Sequence, residues 1–109
     1  MLTKDAILAV DDIKTEELSV HEWGGSIFVR TMSAADFSEA QKAGGDDDVA
    51  TMIALVAIGV CDKDGNRLFT SKDVVALREK NGAVMRRIAE AVMDINGIRE
   101  EDIEEKTGN

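Results

Sequence analysis

The chain has 109 residues, 44% of them apolar, with 22 acidic against 13 basic side chains and a formal net charge of −9. That length suits one domain around one core, and the negative field repels phosphate backbones and anionic lipid heads, which argues against nucleic-acid binding. The aromatics are only Trp23, Phe28, Phe37 and Phe69, so the core must come from Ile, Val, Leu, Met and Ala, a composition suited to helices.

Thr3 before Lys4-Asp5-Ala6-Ile7-Leu8-Ala9-Val10 predicts two turns of helix with an N-cap. From Glu17, Leu18, Val20 and Trp23 alternate with Ser19, His21 and Glu22; Gly24-Gly25 and the β-rich run Ser26 to Arg30 follow. This predicts a β-hairpin over about 17–30 turning at the glycines. Ser33 with Asp36 resembles a capping box, and a helix from about Ala34 to Ala43 should place Phe37 and Ala40 on one side. Gly44-Gly45 ends it. Asp46, Asp47 and Asp48 then complement the dipole of a central helix running from Val49 to Cys61. Apolar residues surround nearly its whole circumference, which implies burial on several sides or, in part, against another chain. The same run falls short of the roughly 20 residues needed to cross a bilayer, so no membrane span is expected.

Asp64-Gly65 between two short apolar patches predicts a second short hairpin over about 60–69. Thr70 to Asp73 provides another cap, Val74 and Leu77 share a face, and Asn81-Gly82 should close that helix. Val84, Ile88, Ala91 or Val92, and Ile95 then recur at helical spacing while Arg86, Arg87, Glu90 and Asp94 face away, until Asn96-Gly97. A charged C-terminal tail begins at about residue 99, with Ile103 among carboxylates. The expected fold class is α+β: a single, mainly helical domain over 1–109 with two small hairpins.

The sharpest chemical motif is Asp62 to Asp73. Asp62, Asp64 and Asn66 match the oxygen donors at positions 1, 3 and 5 of an EF-hand loop, but Arg67 replaces the glycine at position 6 and Asp73 the bidentate glutamate at position 12. A hairpin turn with solvated carboxylates is the simpler reading; a degenerate calcium-binding module is the alternative. His21 is the only histidine and has no nucleophile near it in sequence. Cys61, the single cysteine, follows an apolar run and reads as a small core residue. It cannot form an internal disulfide, and no cationic segment leads into an apolar stretch at the start, so a reducing cytoplasm is the expected setting. The glycine pairs lack the lysine of a phosphate loop. No enzyme activity, cofactor or metal is expected.

Ala6 to Glu16, then Val20-His21-Glu22-Trp23-Gly24-Gly25 and Ile27-Phe28-Val29-Arg30, resemble the opening of tail assembly chaperones from siphovirus-type phages and prophages. In that family a lysine-threonine-acid segment leads to a strand ending in Trp-Gly-Gly, and the returning strand ends in arginine. The resemblance continues more loosely to Asn96-Gly97; His21 departs from it, since relatives often carry proline there. It implies a non-catalytic assembly factor that coats the tape measure protein, keeps it soluble and helps recruit tail tube protein. It also implies self-association, residence in the host bacterial cytoplasm and absence from the mature virion. Trp23, Ile53, Leu55, Val56 and Ile58 are the candidate partner-binding residues, although core packing is the simpler reading of each.

Overall fold

The computed structural model describes residues 1–99, so the acidic tail expected beyond Arg99 lies outside the described residues. At the start, α1 (Lys4–Ala9) forms where expected, with the Thr3 hydroxyl accepting from the Ala6 N–H. None of its residues is buried.

The hairpin pairs β1 (Thr15–Val20) with β2 (Gly25–Arg30), antiparallel, from Thr15 opposite Arg30 to Val20 opposite Gly25. The chain reverses through a 3-10 turn, His21–Trp23, closed by Gly24 at φ 78°, a conformation glycine adopts without a Cβ clash. Trp23 thus belongs to the turn, and Gly25 is already the first residue of β2. Register explains the difference. It sets Leu18 opposite Ile27, both packed on the core, whereas a tight turn at Gly24-Gly25 would have set Leu18 opposite Thr31.

Ser33 and Asp36 form the expected capping box at the start of α2 (Ala34–Gly44), with Ala40 buried and Phe37 40% exposed. Asp47 caps α3 (Asp48–Gly59), its Oδ1 accepting from the Val49 and Ala50 N–H groups. The apolar run then divides. Gly59 ends the helix, and Val60–Cys61 becomes β3, pairing with β2 (Val29 to Val60, Phe28 to Cys61) in an antiparallel sheet of order β1-β2-β3. The second hairpin is held by one bridge, Cys61 to Arg67, around Gly65 at φ 86°.

A 3-10 turn at Ser71–Asp73 leads into the short α4 (Val74–Leu77). Asn81, expected to close that helix, instead opens α5 (Gly82–Ile95): its Oδ1 accepts from Ala83 and Val84, the role asparagine plays best at an N-cap. Met85, Ile88, Ala89 and Val92 of α5 are buried, and the arginines and acids face away as the spacing predicted. Ile53 to Gly59 of α3 are buried all round because α2, α4, α5 and the sheet enclose them. Asn96 latches the end of α5 to the sheet: Oδ1 accepts from the Met32 N–H at 2.7 Å, and Nδ2 donates to the carbonyls of Arg30 at 3.2 Å and Val92 at 2.8 Å.

Candidate functional site

The most constrained polar cluster sits where β2, α2 and the 62–69 turn meet. Asp36 reaches it because the capping box fixes its side chain at the first turn of α2. One carboxylate oxygen takes the Ser33 N–H at 3.0 Å and Arg30 Nη2 at 2.6 Å, while the other takes Arg67 Nη2 at 2.7 Å. Arg67 also holds Glu39 at 3.0 Å, and Arg30 Nε donates to the Ile58 carbonyl at 3.4 Å. Burial pushes the Asp36 carboxyl up, but the Ser33 N–H and the two guanidiniums outweigh it and hold it below the ordinary range. Such a cluster is a structural tie. It contains no histidine, and its one hydroxyl, that of Ser33, accepts the Asp36 N–H in the cap.

The motif Asp62 to Asp73 is occupied by its own chain. Asp62 accepts from the Asp64 and Asn66 N–H groups at 2.9 and 3.0 Å and from Asn66 Nδ2 at 3.3 Å; the Asn66 N–H bond is the first cause of its lowered pKa. Asp73 accepts from the Thr70 N–H at 2.8 Å, capping the 3-10 turn, and Arg67 points to α2. Among the described residues no group of three or more His, Cys, Asp or Glu side chains is arranged to hold a metal ion.

At the hairpin tip Glu22 takes both arms of Arg87 at 2.7 Å, fastening the turn to α5, and these bonds draw the Glu22 carboxyl down to about 2. Trp23 beside it is 39% exposed. His21 is exposed with Nδ1 3.5 Å from Glu22, and Cys61 is buried, which pushes its thiol pKa up, away from the thiolate form. Of the other candidate contact residues, Ile53, Leu55, Val56 and Ile58 all lie in the core, packed with Ile88 and Val92. They are not brought to a common surface with Trp23.

What the surface does offer is a groove of about 660 Å³ between α3 and α5, lined by Val49, Met52, Met93 and Ile98 and by charges of both signs, Asp48, Glu90 and Asp94 with Arg86 and Arg99. Neither it nor the Asp36 cluster was found from sequence. Arg67 in place of the expected glycine was the one local sign of the cluster, since a long cation in a tight turn needs a partner elsewhere.

The family model described as "Phage tail assembly chaperone, TAC" matches residues 4–96. The chain belongs to that family. The matched span runs from α1 to Asn96, so it takes in the Trp23 turn, the capping box, the Asp36 cluster and the Asn96 latch. Among solved structures, the tail assembly chaperone of bacteriophage HK97 is similar, at 20% identity and a TM-score of 0.64, over 76% of this chain and 85% of that one. At that identity the likeness concerns the fold alone. A search of curated proteins gave no match.

Proposed function

We propose that this family member is a non-catalytic chaperone that binds the tape measure protein, keeps it soluble before tail assembly and helps recruit tail tube protein. The observation that carries the reading is the family match across residues 4–96. Physical properties support it. A chaperone of a long amphipathic client needs apolar surface to cover that client and like charge to keep the complex dispersed; this chain offers a groove partly lined by Val49, Met52, Met93 and Ile98, and a net charge of −9. It acts stoichiometrically, self-associates along the client, works in the host bacterial cytoplasm and leaves before the virion matures.

Co-expression with the tape measure protein of the same phage tests the central claim. Soluble client should rise severalfold and co-purify with this chain; equal insolubility with and without it, and no recovered complex, would refute the reading. Mass spectrometry of purified virions checks departure from the particle, with peptides of this chain expected to be absent.

A further inference from the structure

We propose that the groove between α3 and α5 seats one amphipathic helical segment of the client, apolar where it enters and carrying lysine or arginine along its edges. The inference rests on the client-binding reading above and adds a location and a chemistry to it.

Three observations support it. The first is shape. The α5 wall includes Arg86, Ala89, Glu90, Met93 and Asp94, which spans about two helical turns, roughly 12 Å, and the facing wall is the first turn of α3. That is the reach of a helix laid in a groove with anchors at i, i+3 or i+4, and i+7. The second is lining. The fully buried part of α3 begins at Ile53, whereas Val49, 49% exposed, lines the groove together with Met52 and Met93, which are half-buried against the core and present the rest of their surface there. Methionine side chains are unbranched and polarisable, so they refit to apolar side chains of different shape, as a client with many non-identical segments requires.

The third is charge. Arg86 and Arg99 line the groove as well as three acids, and both have partners, Glu90 being one for Arg86 at 3.3 Å. Asp48 and Asp94 also line the groove, and neither makes a side-chain hydrogen bond or ion pair among the described residues. An occupant with basic edges pairs with these carboxylates. A second copy of this chain, net −9, is a poorer electrostatic match.

The test uses the full chain and a synthetic amphipathic helix of about 18 residues, with leucines at i, i+3, i+4 and i+7 and lysines flanking them, followed by fluorescence anisotropy. An analogue with glutamates replacing the lysines should bind at least about tenfold more weakly. Val49→Lys and Asp94→Lys, both at exposed positions, should each weaken the lysine peptide by about tenfold, and Val75→Lys on α4 should not. Circular dichroism confirms that each variant is folded, and Asp94→Lys carries the test if Val49→Lys is not. Equal peptide binding by the groove variants overturns the proposal. So does a loss of self-association in sedimentation with peptide binding intact, which would assign the groove to a second copy. Co-expression separates the two levels: if the native chain fails to solubilise the tape measure protein, the functional reading falls, and if native chain and Asp94→Lys solubilise it equally, only the groove assignment falls.

Discussion

Asp36 performs two tasks with one side chain, capping α2 and neutralising two arginines that come from different parts of the chain. Arg30 is only 15% exposed, so removing its counter-ion strands a cation away from water. Asp36→Ala should cost about 3 kcal/mol in urea unfolding, and Asp36→Asn, which keeps an acceptor for the Ser33 N–H, about half of that. Glu22 makes a prediction in pH. Its folded pKa, about 2, lies below the ordinary 4.5, so the unfolded chain takes up the proton first as pH falls. The stability it contributes is whole above pH 4.5 and is lost on descent toward pH 2; Glu22→Gln should remove that part of the acid dependence. Both partners of the pair are partly solvated, so the effect is best read by comparing the two acid titrations, with Trp23 fluorescence reporting on the tip.

At the scale of elements, the junction between α3 and β3 depends on a close approach. A Cβ at Gly59 would stand 2.5 Å from Val92 Cγ1, a clash with a fully buried neighbour. Gly59→Ala should destabilise by about 1–3 kcal/mol, and adding Val92→Ala should recover part of that loss, a coupling that a double-mutant cycle measures. The helix α1 makes the opposite prediction. Isolated helices shorter than about 12 residues are marginal in water, and this one, of 6 residues, gains no burial from the described fold. Deleting residues 1–10 should shift the melting temperature by less than roughly 2 °C, because no core contact goes with them. The same reasoning predicts fast amide exchange from Lys4 to Ala9 in the isolated chain.

Over the whole molecule, one apolar cluster joins the sheet to the helices, with Val20, Val29 and Val60 packed with Val56, Ile88 and Val92. A domain of this size with a shared core should unfold in one cooperative step. Trp23 fluorescence, at the sheet's tip, and helical circular dichroism should therefore give coincident urea transitions; separated midpoints would show that the hairpin unfolds independently of the helices.

Sequence by itself determined what depends on neighbours a few residues apart. Thr3, Ser33 with Asp36, and Thr70 with Asp73 cap where their spacing said they would, and the apolar period of 84–95 became the helix α5. The pattern through Trp23-Gly24-Gly25 was specific enough to indicate the family that the match over residues 4–96 shows. Tertiary structure decided what those signals leave open. The run from Val49 to Cys61 reads as one helix while the hairpin over about 60–69 claims the same Val60 and Cys61, and only their pairing with β2 assigns them to the sheet. Ile53, Leu55, Val56 and Ile58 went to the core, rather than to a surface, once α2, α4 and α5 closed around α3. Arg67 meets Asp36 across 31 residues, and Glu22 meets Arg87 across 65. Local spacing carries no record of such meetings, because they depend on which apolar faces bury one another first and on the charges that are then left side by side.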